Sequence, residues 1–446
     1  MNILHISTYL QGGAGRVICD LASAQKRSGN NVSVAINDQE YPGYVNYPEY
    51  VENLTALGID IVKSDGLFKR DVYQNINAAQ TIHKLLADKS IDLIHSHAAV
   101  PSLAALLGRN NINRYIPVIQ TMHGWGLNKN QDHEKMDIVV LNLVDKVVAV
   151  SKSDKDLLIG KGVSNQIEII YNGIKDNTGN MEHKAGNAIN MGYNSTNVEL
   201  SVANVGNIQG NIGCGAENVG LNVRNTGYEN EKADDSHEVQ RLKKLLEQEN
   251  ERILIGCIGS ICKRKNQELI LKRLPLVQDV AQFVFIGEDD ENIIANSVHK
   301  NDVCHLGYVS DANKYISSFD YLILPSRSEG LSLVILESLM SSTPVIVSDL
   351  PSFKECITDG QHGFIFKDND EDSIVSAIKK AVDIKQGNES LYCDMKKWCR
   401  LEYENRFTFN EMMKKYNILY HSFTKSKRAL TNSCDTENSL FFNMSS

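Results

Sequence analysis

DYLILPSRSEGLSLVILESLMSSTPVIVSD, residues 320–349, is the stretch whose pattern decides the fold. Tyr321 to Leu324 is an apolar run closed by Pro325, which cannot continue a hydrogen-bonded ladder, so it reads as a buried parallel strand. Ser326 to Gly330 form a polar turn. From about Leu331 the spacing of Leu333, Leu336, Glu337 and Met340 predicts a short helix with an apolar face. Thr343-Pro344 stops it, because the residue before a proline is pushed out of the α region, and Val345 to Val347 begin the next strand. This is one βαβ unit.

In such a unit the loop after the strand and the free N–H groups opening the helix are where an anion sits. Glu329 lies in that loop and Glu337 eight residues on. With helix throughout, the two would be roughly 12 Å apart along the axis and about 80° apart around it. They are therefore not an acid/base pair sharing one bond, which needs carboxyls about 5–10 Å apart. Two readings fit. Either one carboxylate serves each end of an elongated polyhydroxylated ligand, or Glu329 is a loop carboxylate favoured by the helix dipole and Glu337 a solvated helix residue.

The same punctuation recurs on both sides. Arg252 to Gly259 is a strand, SICKRKNQ a polar turn and Glu268 to Arg273 a helix; Gln282 to Gly287 and Val303 to Gly307 are further strands. Lys263, Arg264 and Lys265 are either a solvated run or, placed between strand and helix, a neutraliser of diphosphate. Near the start, Asn2 to Thr8 is a strand, GGAGR a turn, and Val17, Leu21 and Ala22 a helical face ended by Gly29; Val32 to Ile36 follows as a strand. G-G-x-G lacks the G-x-G-x-x-G order of a dinucleotide fingerprint.

Ile91 to His97 is another strand, followed by a helix opening at Pro101. His95 and His97 face one side of it, but no third ligand stands nearby at metal spacing, so they read as cleft-lining or core histidines. Pro117 to Gly124 ends in His123, which either points into a functional crevice or is satisfied by neighbouring backbone. Val147 to Ser151 and Ile167 to Asn172 close this half, and Asn172-Gly173 marks a crossing. Residues 177–234, rich in Asn and Gly, bury too little apolar area to offset ordering entropy and read as a mobile insertion. Asp235 with Glu238 caps a helix expected to Asn250. Asp368-Asn-Asp370 precedes an amphipathic helix and reads as N-cap chemistry rather than a metal motif. Phe407, Met412, Tyr416, Leu419 and Tyr420 share a face of a helix expected over 401–423, and a polar tail follows.

At 446 residues the chain is long enough for two domains. A net charge of -9 and a pI near 5.8 argue against nucleic-acid binding. No apolar run reaches membrane-spanning length, and MNILHIST reads directly into a strand, so no signal peptide is expected. The nine cysteines form no C-x-x-C pair; reduced thiols and a cytoplasmic location are the expectation.

EGLSLVILESLMSSTPVIVSD resembles the E-x7-E signature of the retaining glycosyltransferases of family 4, a GT-B-fold group that uses sugar nucleotides. GGAGR at 12–16, TMHG at 121–124, YNGI at 171–174, GSICKRK at 259–265 and HLGYVSD at 305–311 resemble further blocks of that family, in the same order. Six ordered blocks are far more specific than any one. The resemblance covers most of 1–423, apart from the insertion.

It implies an α/β chain of two Rossmann-like, doubly wound parallel-sheet domains facing a cleft: 1–172 on the acceptor side, a linker with the insertion over 173–234, a nucleotide-sugar domain over 235–400, a helix over 401–423 crossing back, and a disordered tail over 424–446. The implied reaction moves a hexose or N-acetylhexosamine, with retention, from a nucleotide-diphosphate sugar, UDP before GDP, to a glycan or lipid-linked acceptor in cell-surface polysaccharide synthesis. By resemblance, His123 and Glu329 line the reaction face. Gly13, Ser260, Lys265, Gly307, Gly330, Leu331, Ser332, Leu333, Val334 and Glu337 surround the donor, with Glu337 on the ribose. Gly12, Arg16 and His97 face the acceptor. No metal or cofactor is implied. Peripheral contact with the inner membrane is an expectation that rests on the basic residues Lys69-Arg70 and Lys425 to Arg428 alone. Ser260 stands where the family has an arginine, which leaves Arg264 or Lys263 to complete the phosphate clamp. A catalytically degenerate GT-B scaffold, and less readily a GT-B epimerase or a phosphorylase, are the alternatives.

Overall fold

The computed structural model describes residues 1–126, 129–176, 240–242, 244, 251–309, 311–368 and 370–423. The insertion over 177–234, most of the helix expected over 235–250 and the tail over 424–446 lie outside the described residues.

Two sheets, each parallel throughout, carry the chain. The first contains β1 (Asn2–Ile6), β2 (Asn31–Ile36), β3 (Asp60–Lys63), β4 (Leu93–Ser96), β5 (Val118–Met122), β6 (Lys146–Ala149) and β7 (Ile167–Ile169), in the order β3-β2-β1-β4-β5-β6-β7. The second contains β8 (Ile253–Ile258), β9 (Ala281–Ile286), β10 (Cys304–His305), β11 (Tyr321–Leu324), β12 (Val345–Ser348) and β13 (Gly363–Phe366), in the order β10-β9-β8-β11-β12-β13. The order reverses between β1 and β4, and again between β8 and β11. Those switch points open crevices at the carboxyl ends of the strands, the places where doubly wound sheets bind ligands.

Parallel strands covered on both faces are apolar along most of their length. In β11, all of Tyr321, Leu322, Ile323 and Leu324 are buried, each contributing about 1.5–3 kcal/mol relative to exposure. The opening βαβ unit therefore holds: β11, helix α8 (Leu333–Met340) and β12 follow one another as the spacing predicts. The other helices are α1 (Gly12–Arg27), α2 (Pro48–Ala56), α3 (Val72–Asp88), α4 (Ala99–Gly108), α5 (Gln131–Leu143), α6 (Lys152–Gly160), α7 (Glu268–Arg273), α9 (Pro351–Lys354), α10 (Glu371–Gly387) and α11 (Glu389–Arg406). Asp370 caps α10 by accepting from the Asp372 amide at 3.1 Å.

The helix expected over 401–423 is two helices. Residues up to Arg406 finish α11, and a second, α12, runs over 409–423. Phe407 to Phe409 leave the helical ladder because their backbone pairs with Ile174: the Ile174 amide donates to the Phe407 carbonyl at 3.0 Å, and the Phe409 amide to the Ile174 carbonyl at 2.9 Å. Gly173 is required beside this pairing, since a Cβ there would lie 2.3 Å from the Thr408 carbonyl oxygen. Past the break, α12 buries Met412, Tyr416, Leu419 and Tyr420 against Ile3, Leu21, Leu93, Ile119 and Val148 of the first sheet and α1.

Candidate active site

On the second-sheet side the site grows from two strand ends. The turn after β8 carries Lys265, whose Nζ lies 2.7 Å from Oε1 of Glu329 in the loop after β11. Arg264 places Nη1 3.0 Å from the same oxygen and also donates to the Ser328 carbonyl, while the Arg327 amide donates to the Arg264 carbonyl at 2.9 Å. Ser326 adds a hydroxyl donor to Glu329 at 3.1 Å. Burial pushes the Glu329 carboxyl up, but Lys265, Arg264 and these hydrogen bonds together leave it below its ordinary value.

Ser260 is exposed, and Lys263 is solvated with its Nζ 4.0 Å from Glu291. Of Arg264 and Lys263, the two candidates to replace the family arginine, only Arg264 therefore shares Glu329 with Lys265.

Helix α8 starts after this loop. Ser332 is its N-cap and makes no side-chain cap, and the first turn carries no acidic residue, so the positive end of the dipole is not neutralised from within. Leu331 and Ser332 are buried, and Leu333 reaches over to Gly13 at the start of α1, where a Cβ would come within 3.3 Å of Leu333 Cδ1. The loops of the two sheets touch at Gly330: a Cβ there would lie 2.7 Å from the His123 carbonyl oxygen.

Glu337, one turn into α8 and buried, accepts from Arg16 of α1. Burial raises the Glu337 carboxyl, and Arg16 offsets only part of that. Arg16, expected on the acceptor side, is thus turned onto the second domain, and Glu337 is engaged by a guanidinium rather than presented to solvent. Gly307 adopts a left-handed φ of 67° and accepts from the Gly287 amide at 2.7 Å, placing exposed Tyr308 on the loop after β10.

The first-sheet side holds a chain of histidines. His123 follows β5, and its Nε2 lies 3.1 Å from Nδ1 of His97. His97 Nε2 lies 3.0 Å from His5 Nδ1, and His5 Nε2 lies 2.7 Å from the Gln25 side-chain oxygen. Gln25 donates to Tyr420 at 3.3 Å, Tyr420 sits 2.6 Å from His95 Nδ1, and His95 Nε2 is 2.7 Å from Thr121. Burial lowers His5 and His123 to about 4 and takes His95 and His97 well below 6.5. These rings are neutral at ordinary pH.

His97 is buried within this chain, behind His123 rather than on an acceptor surface. His5 supplies the third histidine that the sequence reading did not find: ring nitrogens of His5, His95 and His97 lie within 4.8 Å of one another. Both nitrogens of each are already hydrogen-bonded, so an ion there would have to break that chain. The register of the sheet carried the signal, because His5 pairs directly with His95 across β1 and β4. Gln25 left no such trace.

The family model for Glycosyltransferase Family 4 matches residues 11–178, and that for Glycosyl transferases group 1 matches residues 252–383. The chain belongs to glycosyltransferase family 4. Curated relatives match part of the chain as well. One is an uncharacterized 41.2 kDa protein of the cps region of Klebsiella pneumoniae, 30% identical over 201 residues, 43% of this chain and 52% of that one. Another is the O-antigen biosynthesis glycosyltransferase WclY of Escherichia coli, 28% identical over 177 residues, 38% of this chain and 47% of that one. The matches thus span about half the length of these curated relatives.

Among solved structures, a glycosyltransferase from Rickettsia africae superposes with a TM-score of 0.68 at 16% identity, covering 95% of this chain and 99% of that one. Anabaena Alr3699/HepE, in complex with UDP and glucose, gives 0.68 at 13% identity, covering 95% and 100%. The architecture of this family 4 chain is the GT-B fold.

Proposed function

We propose that this family 4 chain is a retaining glycosyltransferase that moves a hexose or N-acetylhexosamine from a UDP-sugar to a glycan or lipid-linked acceptor in cell-surface polysaccharide synthesis. One observation carries the reading: Lys265 and Arg264 converge on Glu329 beside the uncapped start of α8. Two cations and a free helix N-terminus are what a departing diphosphate needs, and they replace a metal ion in that role. Support for the donor and the setting comes from relatives: HepE was solved with UDP-glucose, and WclY and the capsular glycosyltransferase CapM of Staphylococcus aureus are named for surface polysaccharides.

In this reading the donor diphosphate takes Lys265 and Arg264 from Glu329, and the freed carboxylate turns to the sugar together with the backbone from Gly330 to Val334. Glu337 exchanges Arg16 for the ribose hydroxyls. His123 lines the reaction face, and the leaving phosphate helps remove the acceptor proton on that same face, so no protein nucleophile takes part. The exposed side chains of Tyr44, Val72, Tyr73 and Ile76, with Lys69 close to the last three in sequence, suit a lipid-linked acceptor and peripheral membrane contact.

The second reading, a degenerate scaffold, rests on Ser260 in place of the family arginine. A screen of nucleotide sugars by released nucleotide, with membrane extract as acceptor, separates the two. Turnover that falls at least about 10²-fold in Lys265→Ala and Glu329→Ala is the expected result. No release with any donor, and no calorimetric binding of UDP or GDP, would overturn it.

A further inference from the structure

The histidine chain has two ends. One is Nδ1 of His123, shielded from solvent and without a partner among the described residues. The other runs through Gln25 and Tyr420 into α12, the helix that the C-terminus lays across the first sheet. Between them every ring nitrogen is occupied, and a neutral imidazole donates from one nitrogen and accepts at the other. The direction of the whole chain is therefore decided at a single point, where an acceptor or a donor first meets it.

That point is Gln25. Its carbonyl oxygen faces His5, so His5 donates from Nε2 and accepts at Nδ1. His97 must then donate from Nε2 and accept at Nδ1, and His123 must donate from Nε2. The amide of Gln25 donates to Tyr420, whose hydroxyl then donates to His95 Nδ1, leaving His95 Nε2 to donate to Thr121. No donor meets a donor anywhere along the path.

We propose that Gln25, His5 and His97 are positioning residues that hold His123 in its Nε2–H tautomer, so that its Nδ1 offers a lone pair to a hydroxyl of the donor sugar. The assignment rests on the proposed role of His123 at the reaction face. The groups that surround the chain are His95 on β4, Tyr416 and Tyr420 on α12 and Thr121 on β5, all uncharged at neutral pH. A fixed tautomer is worth building because the wrong one turns an acceptor into a donor and leaves the substrate hydroxyl facing an N–H. In this arrangement α12, remote in sequence from β5, helps set the chemistry of His123 through Tyr420.

The test is two-bond ¹⁵N–¹H correlation spectroscopy of the histidine rings in the full chain, with steady-state kinetics alongside. Wild-type protein should show His123 as the Nε2–H tautomer. In His97→Phe the His123 tautomer should become mixed and kcat fall, while the donor KM, held by the diphosphate contacts, does not change. Gln25→Leu should reproduce this.

An Nδ1–H signal for His123 in wild-type protein overturns the proposal without recourse to any variant. So does an unchanged tautomer in His97→Phe and Gln25→Leu, or stoichiometric zinc held by His5, His95 and His97 in protein titrated with zinc. Full turnover in His123→Ala would instead remove the role of His123 itself and leave the spectroscopic result standing, so the two failures are distinct.

Discussion

Arg16 of α1 donates to the Glu337 carboxylate of α8, joining residues 321 positions apart across the cleft. Glu337 is almost wholly buried and Arg16 about one-third exposed, so the two halves of this pair do not have equal stakes. Arg16→Ala leaves a buried carboxylate alone, a change that costs about 3 kcal/mol or more. Glu337→Ala leaves a guanidinium that water can reach. Urea denaturation should therefore show a lower midpoint for Arg16→Ala than for Glu337→Ala, whereas the donor KM should rise more in Glu337→Ala; the opposite order in both would contradict the pairing and the ribose role.

Arg264 and Lys263 are neighbours with different surroundings. Arg264 shares Glu329 with Lys265, and Lys263 is 83% exposed on its side chain. Arg264→Ala should lower kcat/KM for the donor by about tenfold or more, the worth of a charge-assisted contact, and Lys263→Ala should leave it unchanged. Equal losses in both variants would show that the cluster acts only through its bulk charge.

Gly330 lies against the His123 backbone, with no room for a methyl group. Gly330→Ala must push the two loops apart, because the obstructing atom is a main-chain carbonyl rather than the end of a flexible side chain. The expected outcome is loss of transfer with the thermal midpoint of each half little changed, together with a larger radius of gyration by small-angle scattering. Wild-type dimensions and activity would show that the loops do not close on one another in solution.

The buried histidines make stability fall on the acid side. His5 has a folded value of about 4 against 6.5 unfolded, so the unfolded chain takes up the proton first. Stability from this group is complete above about pH 6.5 and is lost as pH falls towards 4, amounting to roughly 3 kcal/mol for His5. His95 and His97 act in the same direction. Urea midpoints measured from pH 7 to pH 4 should drop steadily, and His5→Gln should flatten the slope; a midpoint independent of pH would mean that these rings are charged or solvated in the folded state.

Much of the architecture was legible because it is written in local patterns. The run Tyr321 to Leu324, the turn at Ser326 to Gly330 and the stop at Thr343-Pro344 are each decided within a few residues, and the same holds for β1, β5, β8 and α7. Other elements escaped. Strand β3, four residues with no fully buried side chain, carries too little periodicity to be seen, and α11 was recognised only in its last residues as part of a longer helix. The break at Phe407 to Phe409 was hidden because its cause, Ile174, lies more than 200 positions away.

By itself the sequence determined the βαβ unit around Glu329 and Glu337 and the strand–turn–helix units beside it, since those signals act between neighbours along the chain, and its ordered motif blocks carried the resemblance to family 4 that implies two parallel α/β sheets. Only the tertiary structure decided who meets whom: Arg16 with Glu337, Arg264 rather than Lys263 with Lys265, and His5 with His97 and His123. Those partners come from strands and helices brought together by burial of apolar surface, which selects the packing of whole elements. The polar contacts that result depend on where each element ends and how it is turned, and no spacing along the chain records that.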